Sequence, residues 1–134
     1  MQFDLVSPER KLASATITQV DLPGAEGDFT AMPDHAPVLT TLRPGILTAK
    51  SSAGSESYVV SGGFVEVNGE AVSVLAEWAV HLDDANSDHI QKLVDDAEAA
   101  TEGRTGAELD AAQLRVHHTR WLLDAISRGP GVAA

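Results

Sequence analysis

Up to about residue 82, apolar and polar residues alternate in short runs cut by Gly, Pro and Asn. That period of two sends successive side chains to opposite faces of a sheet. The runs predict strands at Phe3–Val6, Ala13–Leu22, Asp28–Met32, Val38–Leu42, Gly45–Lys50, Glu56–Ser61, Gly63–Val67, Ala71–Leu75 and Trp78–Leu82. Turn signals at intervals of about eight to twelve residues point to an antiparallel β-sandwich. The clearest hairpin joins Phe64–Val67 to Glu70–Leu75 through Asn68-Gly69, a pair that takes the positive φ angles of a type I′ turn. Ser61-Gly62-Gly63 predicts a tight corner where backbones approach closely.

After Asp83-Asp84, β-branched residues thin out, Ala, Leu, Asp and Glu take over, and the period becomes helical. A first helix is expected from Asn86 or Ser87, with Ile90, Leu93, Val94 and Ala97 on one face, ending before Gly103. A second is expected to open on a capping box, Thr105-Gly106-Ala107-Glu108, and to end at Gly129-Pro130. Its apolar seam is Leu109, Ala112, Val116, Thr119, Leu123 and Ile126, spaced for packing along another helix. The layout is therefore a sandwich over residues 1–84, an antiparallel two-helix hairpin over 85–129 and a flexible tail over 130–134. A hairpin of about forty residues with so narrow a stripe is marginal alone and needs a surface to lean on.

Composition narrows the function. Twenty acidic residues against nine Lys and Arg give a formal net charge of -11, which repels phosphate backbones and anionic lipid. Nucleic acid and direct membrane contact are not expected. With no Cys there is no disulfide framework, thiolate metal site or cysteine nucleophile. Met1–Val6 lacks a basic stretch leading into a long apolar core, so neither a signal peptide nor a membrane span is expected.

Catalytic chemistry finds little purchase. The histidines at 35, 81, 89, 117 and 118 do not fall into a metal-binding motif, and His117 and His118 diverge by about 100° on a helix. Asp83-Asp84 and Asp95-Asp96 also diverge, and no nucleophile elbow or phosphate-binding loop is present. No catalytic residue, cofactor or metal is assigned. Arg115, Arg120 and Arg128 with His117 and His118 make the second helix more basic than the rest, which marks either a solvated face or a contact for an acidic partner.

The stretch Gly27-Asp28-Phe29-Thr30-Ala31-Met32-Pro33-Asp34-His35-Ala36-Pro37-Val38-Leu39-Thr40-Thr41-Leu42-Arg43-Pro44-Gly45 resembles the signature of the epsilon subunits of bacterial F-type ATP synthases. Ser61–Val67 followed by Val72–Ala76 is similar to the second signature of that family. The resemblance implies a sandwich of about ten strands at the foot of the rotating central stalk, touching the gamma subunit and the c-ring. It implies a non-catalytic subunit that couples proton flow to ATP synthesis at the cytoplasmic face of the inner membrane, with membrane association only through the Fo sector. By motif position the resemblance implies that Asp28 and His35 face the c-ring loops and that Met32, Pro33 and Pro37 shape that lobe. The hairpin is implied to extend along gamma into the catalytic head of alpha and beta subunits and inhibit ATP hydrolysis, with Arg115, His118, Arg120 and Arg128 as candidate contacts with beta and gamma.

Two departures stand out. Asn86 and Ser87 occupy the places of the Arg and Ala with which some members bind ATP, which removes a charge-assisted donor for phosphate. Asp34 replaces the usual Gly before His35, in a turn where Gly is freer to adopt left-handed geometry. The alternative from another class is a stand-alone β-sandwich binding module, which would need a concave aromatic face. Phe3, Phe29, Tyr58, Phe64, Trp78 and Trp121 are few, scattered and mostly required for the core.

Overall fold

A computed structural model describes residues 1–128 and divides the chain into two compact units, Met1–Leu82 and the segment from Asp83 onward. The tail expected at 130–134 lies outside the described residues.

The first unit contains β1 (Gln2–Val6), β2 (Lys11–Thr16), β3 (Gln19–Gly24), β4 (Gly27–Ala31), β5 (Val38–Leu42), β6 (Gly45–Ser51), β7 (Gly54–Val60), β8 (Gly63–Val67), β9 (Ala71–Ala76) and β10 (Ala79–His81). They pair in the order β10-β7-β6-β3-β5-β8-β9-β1-β2, with β4 hairpinned onto β3. All pairings are antiparallel except β1 with β9, which is parallel. Two half-sheets result. One is built on β3, β4, β6, β7 and β10, the other on β5, β8, β9, β1 and β2, and the ladder between them is a single pair, Gly24 with Leu42. The core draws on both halves: Phe3, Leu5, Val65, Val67, Val72 and Val74 from one, Val20, Leu22, Leu47, Tyr58 and Val60 from the other.

Alternation places these residues. In β8, Val65 and Val67 are buried while Phe64 and Glu66 face out; in β9, Val72 and Val74 are buried while Ser73 and Leu75 face out. The run expected as one strand, Ala13–Leu22, is two. At Ile17 and Thr18 the chain changes partner, Ile17 N–H donating to Met1 O at 2.8 Å and Thr18 N–H to Lys50 O at 2.8 Å. Periodicity continues through such a switch and does not show it.

The Asn68-Gly69 connection joins the strands expected, but not through a type I′ turn, since neither residue has positive φ. Instead the Asn68 carboxamide oxygen accepts from Glu70 N–H and Ala71 N–H, both at 2.9 Å. A side chain that satisfies two turn donors removes the need for left-handed backbone.

At the Ser61–Gly63 corner the expected glycine requirement is met: Gly62 and Gly63 have φ of 128° and 140°. A Cβ on Gly63 would stand 2.1 Å from Leu75 O.

The second unit contains α1 (Ser87–Ala99) and α2 (Gly106–Ser127), packed as an antiparallel pair with a turn containing Gly103 at φ 74°. Asn86 caps α1, its side chain accepting from His89 N–H at 3.0 Å. The capping box expected at Thr105 does not close: the Thr105 side chain makes no cap hydrogen bond, and Gly106, the first residue of the helix, has φ 61°. Ile90, Val94 and Ala97 are buried on α1, as their spacing predicts. On α2 burial passes from Thr119 to Leu122 and Ala125, leaving Leu123 and Ile126 half-buried. Steps of three lag a helical turn by about 60°, so the buried stripe winds around the axis where an alternating three-and-four seam would have stayed nearly straight.

The corner gives a direct check. Gly63→Ala is expected to destabilise the chain by about 3 kcal/mol or more in chemical denaturation, since both φ and space forbid a side chain. A loss below about 1 kcal/mol would contradict this packing.

Candidate functional site

One end of the first unit carries the residues singled out from the sequence. Between β3 and β4, Gly24 pairs with Gly27, and a Cβ on Gly24 would lie 2.7 Å from Gly27 O and 3.0 Å from the Phe29 ring. Arg43, leaving β5, folds onto this hairpin. Its N–H donates to Pro23 O at 3.0 Å, and its guanidinium donates to Gly24 O and pairs with Asp28. The exposed carboxylate of Asp28 is thereby fixed by a charge-assisted contact.

Met32–His35 forms a turn of the type II kind, with His35 N–H donating to Met32 O at 3.0 Å. Pro33 supplies the fixed φ of the second position, and Asp34 occupies the third at φ 68°, where Gly or Asn is usual. Asp34 N–H donates to Gly69 O at 3.0 Å, so this turn is tied to the Asn68-Gly69 loop. The replacement noticed in the sequence therefore leaves the left-handed turn in place, with strain in the Asp34 backbone.

His35 is half-buried, with Nδ1 2.6 Å from Ala36 O and its ring 6.3 Å from Phe29. Because a carbonyl only accepts, this contact places a ring hydrogen on Nδ1. Asp28 and His35 together border a hollow of ≈ 390 Å³ with Phe29, Val38 and Thr40. Met32, Pro33 and Pro37 stand exposed on the connection between β4 and β5, and do not line that hollow.

A second feature was not anticipated. Leu39, Phe64 and Leu75 are 73%, 56% and 60% exposed, on adjacent strands and on one outer face. Phe64 lies opposite both Thr41 and Leu75, and Leu39 opposite Glu66, so the three make a diagonal apolar band across β5, β8 and β9. Of the six aromatics expected to serve mostly the core, Phe64 and Trp121 are exposed. The available signal lay in β8 and β9, where Phe64 and Leu75 interrupt the polar phase that also holds Glu66 and Ser73.

The basic residues of α2 do not converge. Arg115 and Arg120 are about 140° apart around the helix, and Arg128 is about 80° beyond Arg120. Arg120 pairs with Glu98 of α1 at 2.7 Å and Arg128 with Asp124 at 3.0 Å. His118 is half-buried, its ring 5.7 Å from that of His117. The basic face expected from composition is thus dispersed, and two of its charges are balanced within the hairpin.

The family model of the ATP synthase delta/epsilon chain β-sandwich domain matches residues 1–82. An ATP synthase epsilon chain of Jannaschia sp. is 44% identical over 126 residues, covering 94% of this chain and 96% of that one. The chain belongs to the ATP synthase epsilon family. The epsilon chain of Fuscovulum blasticum is 55% identical over 113 residues, covering 84% of this chain and 85% of its own. Among solved structures, a chain of the Euglena gracilis mitochondrial ATP synthase superposes with a TM-score of 0.68 at 23% identity, covering 92% of this chain and 79% of that one. A chain of the Tetrahymena thermophila central stalk and c-ring structure gives 0.66 at 18% identity, covering 92% and 93%. At such low identity these superpositions establish that the epsilon fold is shared.

The Asp34 geometry sets a second test. Asp34→Gly relieves a left-handed non-glycine residue and is expected to raise stability by about 0.5–1 kcal/mol, net of the extra freedom of Gly in the unfolded chain. The denaturation midpoint reads it, and a fall in stability would refute the strain.

Proposed function

We propose that this chain is a non-catalytic rotor subunit of the F1Fo ATP synthase, part of the central stalk that couples proton translocation to ATP synthesis. The observation that carries this reading, given the family, is the exposed band Leu39, Phe64 and Leu75. An apolar band on a folded sandwich marks a place for a lasting partner. In this reading the band seats the gamma subunit, because permanent interfaces are the more apolar ones. The polar end with Asp28, Met32, Pro33, His35 and Pro37 meets the c-ring loops. The subunit is then held at the cytoplasmic face of the inner membrane through the Fo sector. No helix among the described residues is long and apolar enough to cross a membrane. A stand-alone binding module would leave the band without purpose.

The hairpin is the regulatory part of this proposal. It restrains ATP hydrolysis by reaching the alpha and beta subunits along gamma, with Arg115, His118, Arg120 and Arg128 as contacts. Arg120 and Arg128 would then exchange Glu98 and Asp124 for acids of the partner, a low-cost exchange because exposed ion pairs contribute only about 0–1 kcal/mol each.

Tagged chain purified from its own cells at native level is expected to bring down alpha, beta and gamma subunits; recovery without them would end the proposal. Phe64→Ser should leave the isolated chain within about 0.5 kcal/mol of its stability, since the ring is exposed. The same change should weaken assembly with gamma about tenfold or more; undiminished assembly would remove the band from the interface. Deleting residues 87–134 is expected to raise hydrolysis by the assembled enzyme at low proton-motive force, and unchanged hydrolysis would exclude inhibition by the hairpin.

A further inference from the structure

The sandwich ends on its shortest strand. β10 has three residues, paired to β7 as Ala79 with Val60, Val80 with Val59 and His81 with Tyr58. Leu82, the next residue, closes the first unit. So short a ladder holds few backbone bonds, and side-chain contacts across it weigh more.

At the last position those contacts come from two β7 residues on one face. His81 Nε2 stands 2.5 Å from Glu56 Oε2, and the Tyr58 ring meets the imidazole edge-on at 5.2 Å and 77°. Glu56 is two residues from the partner of His81, the diagonal neighbour across an antiparallel pair, within reach of long side chains. A carboxylate only accepts, so Nε2 must carry hydrogen for this contact to bind. The neutral ring meets that condition in one tautomer. The imidazolium meets it always, and the contact is then an ion pair.

We propose that His81 and Glu56 form a proton-operated clasp that fastens β10 onto β7 and so fixes the place where the chain leaves the sandwich. Neighbouring charges bear on it from several elements. Tyr58 of β7 is buried, and burial first and the Glu56 carboxylate second push its phenol above the ordinary value, so it is neutral when the imidazole titrates. Asp83 and Asp84 follow His81 two and three residues later in the sequence and carry the same sign of charge as Glu56. β2 packs beside β10 and brings Lys11, whose ammonium is engaged with Asp4 at 3.5 Å, and Arg10 precedes it with opposing charge.

The sign follows from linkage. A histidine that gains a carboxylate partner on folding holds its proton more tightly than in the unfolded chain. While Glu56 is ionised the clasp is therefore fully closed below about pH 6.5, the ordinary histidine value, and it loosens as pH rises through the folded-state value. The transition lies above the ordinary histidine value, on the last strand of the first unit.

The test uses the full chain and two readouts. Nuclear magnetic resonance titration should place the His81 ring above about 6.5 in the native protein, and lower by about half a unit or more in Glu56→Gln. Amide exchange in β10, corrected for the intrinsic pH dependence of exchange, should slow severalfold from pH 8 to pH 6 in the native protein. It should stay flat in Glu56→Gln and in His81→Gln, which keeps a hydrogen-bonding group without titrating. Glu56 is exposed, so these variants are expected to fold. Equal His81 titration with and without Glu56 would overturn the clasp. So would pH-independent β10 protection in the native protein, or pH dependence persisting in His81→Gln.

Discussion

The two half-sheets meet through one ladder pair, Gly24 with Leu42, and the corner around it has no room for a side chain at Gly24 or Gly45. A Cβ at Gly24 would press on Gly27 O, and one at Gly45 would stand 2.8 Å from Pro23 Cβ. Arg43 bridges the joint from inside the same segment, bonding Pro23, Gly24 and Asp28. Close backbone approach at this corner brings the inner faces of both halves into one core and sets the angle at which the hollow of Asp28 and His35 opens. Much of the long signature segment is accounted for here: Asp28, Arg43 and Gly45 build this corner of the sandwich.

The same core leaves some apolar side chains outside. β8 and β9 bury Val65, Val67, Val72 and Val74 on one side and present Phe64 and Leu75 on the other. Tertiary structure can bury only one phase of a strand at the surface of a single subunit, and the other phase is left for a neighbour. The hairpin follows a different economy. It is marginal by length, caps α1 with Asn86, and balances Arg120 and Arg128 with its own acids.

Which parts were legible in the sequence follows from what each depends on. Period two and Gly-rich corners are local, so nearly all strands, the Ser61–Gly63 corner and both helices were readable from spacing. The split of Ala13–Leu22 depends on Met1 and Lys50, residues far along the chain, and left no mark on the alternation. The Asn68 loop defied expectation because a side-chain oxygen took the place of a left-handed backbone. Asp28 and His35, singled out by their motif, border one hollow, whereas the outward position of Leu39, Phe64 and Leu75 was not legible because a residue type alone cannot distinguish an inner face from an outer one. The arginines of α2 looked like a patch in one dimension and spread out once wound onto a helix.

The turn at Met32–His35 has a consequence for how this surface can diversify. Its backbone is fixed from both sides, by Pro33 within the turn and by the bond from Asp34 N–H to Gly69 O outside it. The tip residue can therefore be exchanged among Gly, Asn and Asp, the types that enter left-handed geometry most readily, with the loop path conserved. One residue exchange then adds or removes a negative charge at the tip of this turn, with its two backbone bonds retained. A lineage could match the charge of a co-evolving partner there in a single mutational step, at a small cost in folding stability.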